Sequence, residues 1–305
     1  MRNCFGFGIC FLLISLWSGC AEPENEKAFQ YLFMGHIYDW NQGNRVDPRL
    51  ESADFSRFDQ VWLGGDICSR TTEEPGTLDY LDSLFDLGSS RTQWTLGNHD
   101  LLFGHQDRIE TYTGRPTFYA AWINGICLVV LNTNYFWYYP STPAQDNCAA
   151  KSRQLELIRS VCDTIQQASH LVILHHHALL AGLITDRGGQ QIKAFNANYP
   201  DPAVTCDSAS LFTETVYPML TAVQNKGIQV IMVGGDLGTK AKKFSYRTAE
   251  GVVLLGAGLN NSLDPRYAPE YVTSFDPDQV LIFHHDPQAG RLDWSFITPE
   301  ALPKK

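Results

Sequence analysis

Two short apolar runs, Val61-Trp62-Leu63 and Trp94-Thr95-Leu96, each break into a glycine-led turn rich in hard metal ligands. The turns are Gly64-Gly65-Asp66 and Gly97-Asn98-His99-Asp100. No other feature restricts the fold as much, because a strand ending in such a loop is where open α/β sheets present their ligands. The carboxylate of Asp66 and the neutral amide oxygen of Asn98 suit a divalent cation. His99, between Asn98 and Asp100, is placed to act as a protonated side chain beside an anionic leaving group. Alone, Gly-Asn-His-Asp would read as turn chemistry. Paired with Gly-Gly-Asp and the later cluster His175-His176-His177, it points to metal-assisted hydrolysis.

The rest of the chain alternates short apolar runs with helical stretches. Tyr31 to Met34 reads as a strand, followed by a polar loop and the Val61 run. Leu78 to Leu87, Ser152 to Ala168 and Ala209 to Gln224 have apolar residues at helical spacing. Phe118 to Ile123 and Ile126 to Leu131 flank Asn124-Gly125, a two-residue hairpin signal. Strands are expected at Leu171–Leu174 and Ile228–Val233, and the tail (Val252 to Leu255, Val280 to Phe283, Leu292 to Ile297) reads as antiparallel sheet. This order of βαβ units and closing strands implies a two-sheet α/β sandwich with loops gathered at one edge. Residues 135–150 and 185–206 read as insertions, too long and too Gly/Pro/Asn-rich for simple connectors. The aromatics of the first, beside a metal site, suit either a substrate wall or packing of a long loop.

With 305 residues and 44% hydrophobic content, the chain can bury one large core. Thirty-three acidic against 23 basic residues give a net charge of -10. With no basic cluster, this excludes a nucleic-acid groove. The N-terminus reads as a targeting segment. Residues 5–17 are almost wholly apolar, too short to span a bilayer, and end in Leu16-Trp17-Ser18-Gly19-Cys20, which resembles a bacterial lipobox. Residues 1–20 are therefore expected to be a signal peptide with lipidation at Cys20, and 21–28 a flexible acidic tether. A domain is expected over 29–300, exported to the periplasm or outer surface of a bacterial envelope, or otherwise secreted. Membrane contact would run only through the lipid anchor. The remaining cysteines lack C-x-x-C spacing, so a zinc–thiolate site is not expected. Export permits a disulfide, with Cys148 and Cys206 as the candidate pair and Cys127 as a buried free thiol.

These motifs resemble those of the calcineurin-like metallophosphoesterases, over about Gln30 to Ile297. Gly65-Asp66, Gly97-Asn98-His99-Asp100 and Leu174-His175-His176-His177 match family motifs, as do the cues Gln154-Leu155 and Leu131-Asn132-Thr133. The resemblance implies a four-layer α/β/β/α fold, with Asp66 bridging two metals, Asn98 and His176 binding one, and His99 assisting the leaving group. The first and last motifs depart from the family. Gly35-His36-Ile37-Tyr38 stands where Asp-x-His is usual, and Gly235-Asp236-Leu237-Gly238 where Gly-His-x-His is usual. Aligned at strand ends, His36 replaces the family Asp and Asp236 its first His, an exchange that keeps two carboxylates among the ligands. The distantly related purple acid phosphatases use Gly-Asp-x-Gly and a Tyr ligand, which leaves Tyr38 as a ligand or a hydrogen-bonding wall, with Asp39 as an alternative oxygen donor.

Together these readings give two divalent or trivalent ions (Mn, Fe or Zn), one held by His36, Asp66 and Asp39 or Tyr38, the other by Asp66, Asn98, His176 and Asp236. Catalysis would fall to His99, held by Asp100 or a backbone carbonyl. Neighbours in a strand point to opposite faces, so only one of His175, His176 and His177 is expected to point at the same metal, which leaves His175 as a core residue and His177 as a ligand or substrate contact. The expected substrate is a small phosphorylated compound, a phosphomonoester or phosphodiester. The rival readings are a non-catalytic ligand-binding member of the fold and a mononuclear metallohydrolase.

Overall fold

The computed structural model describes residues 28–39, 41–136, 145–184, 188, 201–207, 209–237, 243–259 and 277–305. The expected leader with Cys20, nearly all of the tether, Gly238, half of the first insertion and most of the second lie outside the described residues.

One sheet has five strands in the order β11-β10-β1-β2-β3, built from β1 (Phe29–Met34), β2 (Gln60–Leu63), β3 (Thr92–Trp94), β10 (Val280–Asp286) and β11 (Arg291–Ile297). The first three run parallel, and β10 closes antiparallel on β1. The second sheet has the order β4-β5-β6-β7-β9-β8, from β4 (Tyr119–Ile123), β5 (Ile126–Val130), β6 (His170–His175), β7 (Gln229–Gly234), β8 (Phe244–Arg247) and β9 (Val253–Gly256). Strands β5, β6, β7 and β9 are parallel. The tail therefore does not form one antiparallel sheet. Val253–Gly256 joins the second sheet parallel to β7, and only β10 and β11 close the first.

Alternation along the strands sorts side chains into layers. In β1, Tyr31 and Phe33 point between the sheets, where they meet Trp62, Leu128, Val130, Val172, Leu174, Ile231, Val233 and Phe283. Leu32 and Met34 point outward, packing with Leu78, Leu81 and Phe85 of α2 (Pro75–Phe85) and Ile109 of α3 (Gln106–Thr113). On the other sheet Val129, Ile173 and Met232 face Leu155 and Ile158 of α4 (Gln145–Thr164) and Val216 and Leu220 of α5 (Phe212–Asn225). This is the α/β/β/α order. Strands buried on both faces read as unbroken apolar runs, as β5 and β6 do.

Local chemistry sets the element ends. Helix α2 begins at Pro75, whose ring fits the first turn, and stops where Asp86 turns left-handed at φ 52°. Asn124 and Gly125 both take positive φ, 51° and 90°, in the tight turn between β4 and β5. Cys148, on the first turns of α4, forms a disulfide with Cys206, and Cys68, Cys127 and Cys162 are buried free thiols.

At the end of the sandwich opposite the motif loops, His170 and His285 are buried with rings 6.3 Å apart. The Tyr31 hydroxyl receives a hydrogen bond from Asn124 Nδ2 (3.1 Å) and so donates its own proton to His285 Nδ1 (2.8 Å). Burial, with His285 beside it, pushes His170 down to about 4, and burial also lowers His285. Between the ordinary histidine value and pH 4 the unfolded chain binds protons that the folded chain refuses, so stability falls as pH falls through that window. A melting temperature followed from pH 7 to 4 should decline, and His170→Gln should flatten part of that slope.

Candidate functional site

The loops that carry the motifs leave the C-terminal ends of β1, β2 and β3 in one sheet and of β6 and β7 in the other. Three glycines let the sheets meet there. A Cβ on Gly35 would lie 2.4 Å from the Gly235 Cα, one on Gly64 2.9 Å from the same atom, and one on Gly235 1.7 Å from the Gly64 carbonyl oxygen. Backbone lies on backbone, with no room for a side chain. His36 and Asp66 follow in left-handed conformations, φ 53° and 54°, a strain that clusters at functional sites. The His36 N–H donates to the Gly65 carbonyl at 2.9 Å and the Ile37 N–H to that of Asp66 at 3.1 Å, so the two loops brace each other.

Asp66 lies at the centre, 1% exposed. Its Oδ2 is 3.4 Å from Nε2 of both His36 and His176, while Oδ1 accepts the His99 backbone N–H at 2.9 Å. His176 Nδ1 meets the Gly64 carbonyl at 2.8 Å, so it carries a proton there and the ring turns its Nε2 toward Asp66. Burial opposes the ionisation of both, yet attraction wins. The charge and hydrogen bond of His176, with His36 and His99, hold the Asp66 carboxyl well below the usual range, and Asp66, Asp236 and the Gly64 carbonyl raise His176. Two lone pairs face each other across this gap unless a proton or a cation lies between them.

That donor set fits a metal. Two ligands each about 2.1 Å from one ion, at tetrahedral to octahedral angles, lie roughly 3.0–3.4 Å apart. A ligating imidazole also typically donates its second N–H to a carbonyl, as His176 does. The arrangement is open, however. Among the described residues no group of three or more His, Cys, Asp or Glu side chains closes into a preformed cage.

The other expected residues divide around this centre. Asp236 is 7% exposed, its N–H bonds the His176 carbonyl at 2.9 Å, and its charge acts on both His176 and Tyr38. The Tyr38 ring lies between two imidazoles, 4.7 Å from His36 and 5.4 Å from His99. Burial, then Asp66 and Asp236, raise its phenol far above the ordinary value, so it keeps its proton. The Asp39 carboxylate instead caps its own turn, accepting from the Asn41 N–H at 2.7 Å. No hydrogen bond or ion pair among the described residues joins it to His36 or Asp66.

Of the two partners expected for His99, a backbone carbonyl is the one present, and one further expectation needs correction. Asp100 does not hold His99. Its carboxylate accepts the backbone N–H groups of Asp66 (2.8 Å), Ile67 (3.0 Å) and Gly97 (2.8 Å) and the Thr71 hydroxyl (2.8 Å). Asp100 thus pins the loops after β2 and β3 together, and His99 Nδ1 points to the Ser69 carbonyl at 3.4 Å. Stranding three buried N–H groups costs about 3–5 kcal/mol, so urea unfolding of Asp100→Ala should register a loss of that order. Strand alternation also fails at the histidines, because β6 ends at His175 and the chain bends. The rings of His176 and His177 lie 4.8 Å apart, both in the site. His175 turns away to the His177 carbonyl, and burial pushes it down to about 4, a neutral core residue.

Thr133 stands in the sequence only as a cue, but in the structure it sets a proton. Its hydroxyl oxygen accepts the His177 N–H at 3.1 Å, so its own hydrogen is available for His177 Nδ1 at 2.9 Å. Nε2 of His177 then carries the ring proton and donates to Asn98 Oδ1 at 3.2 Å. The two sequence cues are also joined to each other, since the Gln154 side chain brackets Asn132, accepting its N–H at 2.8 Å and donating to its carbonyl at 3.1 Å.

A family model for calcineurin-like phosphoesterases matches residues 29–206, more than half of the chain. The chain belongs to the calcineurin-like phosphoesterase family. The match spans His36, Asp66, Asn98, His99 and His176 and stops before Asp236. A comparison with curated proteins found none that matches.

Proposed function

We propose that this chain is a metal-dependent phosphoesterase that hydrolyses a phosphomonoester or phosphodiester. One observation carries the reading: a single buried oxygen, Oδ2 of Asp66, faces Nε2 of both His36 and His176, and the far nitrogen of His176 is anchored on a backbone carbonyl. Asp66, His36 and His176 would hold a cation there, with Asp236 adding negative charge beside His176. When bound, such a cation neutralises phosphoryl oxygens and lowers the pKa of its water. The protonated Tyr38 phenol can offer a hydrogen bond to a phosphoryl oxygen, while the His177 Nε2–H, fixed by Thr133, holds the Asn98 side chain in place. His99, with Nδ1 toward the Ser69 carbonyl, keeps Nε2 for the departing oxygen.

The main reading has Asp66 shared between two ions; a second reading, a mononuclear hydrolase, is favoured by the absence, among the described residues, of a second carboxylate–imidazole group around Asp39. Metal stoichiometry separates the two. The leader motif with Cys20 supports an exported envelope lipoprotein, and the Cys148–Cys206 disulfide fits an oxidising compartment.

The test is metal content of the leaderless protein, then hydrolysis of a chromogenic phosphomonoester and diester with Mn, Zn or Fe. The expected result is tightly bound metal and hydrolysis that a chelator removes and metal restores. Less than one bound metal per chain together with no hydrolysis overturns the reading.

A further inference from the structure

Leu102 and Phe103 stand in solvent, 61% and 39% exposed, on the turn that follows the site. Among the described residues Trp122, on β4, is the other large exposed hydrophobic. A lone exposed apolar side chain needs no explanation, but two adjacent ones beside a reactive histidine are a different matter. The turn binds them directly to the site. The Leu101 N–H donates to the Asn98 carbonyl at 3.3 Å, that of Leu102 to His99 at 3.5 Å, and that of Gly104 to Leu101 at 2.9 Å. Leu101 packs inward against the outer core of the first sheet. Gly104 and His105 both take left-handed conformations, φ 74° and 59°, before α3 begins. Gln106 then accepts the Tyr135 hydroxyl at 2.8 Å, so an aromatic ring stands beside the turn.

We propose that Leu102 and Phe103 receive the organic group of the substrate, and that the preferred substrates are phosphoesters of apolar alcohols, aryl or alkyl. This rests on the phosphoesterase reading, in which His99 meets the oxygen of the leaving group. Whatever that oxygen carries must then pass the residues one turn beyond His99. Between Asp100 and Asp107 the chain has no Lys, Arg, Asp or Glu and His105 is its one titratable side chain, so the turn itself offers no permanent cation for a second phosphate or a carboxylate. A nucleoside polyphosphate or a multiply charged sugar phosphate would find no lysine or arginine on this turn.

The experiment compares n-alkyl phosphates from ethyl to hexyl, as free monomers, by kcat/KM. In parallel it measures binding of the matching n-alkylphosphonates, which cannot be hydrolysed, by titration calorimetry. A methylene fully buried is worth about fourfold and a half-covered one roughly twofold, so hexyl should exceed ethyl roughly tenfold or more in both assays. The double variant Leu102→Ser, Phe103→Ser should bring that ratio near one, and Trp122→Ser should leave it unchanged. Because all three side chains are exposed, none of these changes should unfold the protein. Vesicles containing phosphatidic acid test the source. A larger gain there than with monomers assigns the apolar group to a lipid surface, and a gain with monomers alone assigns it to soluble esters. A hexyl-to-ethyl ratio near one in the wild type, or a ratio that the double variant leaves intact, overturns the proposal. Chain-length-dependent phosphonate binding without hydrolysis of any ester would instead support the apolar contact and overturn the phosphoesterase reading.

Discussion

Replacing Asp66 with Asn is expected to remove phosphoester hydrolysis by roughly three orders of magnitude and to leave the purified protein depleted of metal. The substitution changes almost no volume, so the effect is electrostatic. Oδ2 faces two imidazole Nε2 atoms at 3.4 Å, and Oδ1 holds the His99 N–H at 2.9 Å. Whichever way the amide turns, it replaces one acceptor with a donor. If its oxygen stays on the His99 N–H, the amide hydrogens point at His36 and His176, and the cleft loses its central negative charge. His176 then loses the larger part of what raises it, and a cation approaching the pair meets two imidazoles with only Asp236 to offset its charge. Stability should fall as well, because the attraction that holds the Asp66 carboxyl low and His176 high is lost with the charge. Metal content, activity and urea unfolding, measured together, separate a lost site from a lost fold. An Asp66→Asn variant that keeps its metal and most of its rate would remove Asp66 from the centre.

The fold was largely legible because its strands are buried on one or both faces and so declare themselves as apolar runs. The hairpin at Asn124-Gly125 and Gly65 after β2 are legible because their positive φ favours such residues, and Gly97 after β3 leaves the room that a Cβ would take from the Asp66 carboxylate. What stayed hidden has physical causes. Strand β8, Phe244–Arg247, is a half-exposed edge strand of four residues with one partner, and four alternating residues carry little signal. Helix α3, Gln106–Thr113, buries only Ile109 and Thr113. Strand β9 is visible as a strand, but periodicity reports a buried face and says nothing about which sheet claims it.

At the site the residue types were legible and their partners were not. Asp66, His36 and His176 do face one another, but the sequence cannot show that the Asp100 carboxylate spends itself on three backbone N–H groups. Nor can it show that a bend after His175 brings both His176 and His177 into the cleft. A strand's alternation predicts side-chain direction only while the strand lasts. The Thr133–His177–Asn98 chain was equally silent, being a relation among three loops.

Gly235→Ala is expected to be the most damaging small substitution in the molecule, costing about 3 kcal/mol or more and taking the activity with it. The added methyl would sit 1.7 Å from the Gly64 carbonyl oxygen and 2.5 Å from its carbon. Neither atom belongs to a flexible side chain, so relief requires the two sheets to part at the end where all five motif loops gather. The Gly64 carbonyl also anchors His176 Nδ1 at 2.8 Å, so even a partial shift carries that ring away from Asp66. The counterpart on the same axis is Gly76→Ala, in the first turn of α2, where a Cβ meets nothing within 4 Å. There the methyl removes unfolded-state freedom without a clash, and stability should hold or rise by up to about 1 kcal/mol. Urea midpoints for the two variants should therefore move in opposite directions or differ severalfold. If Gly235→Ala unfolds near the wild-type midpoint and keeps its rate, the sheets do not meet there on bare backbone, and the convergence of the loops must be sustained by other contacts.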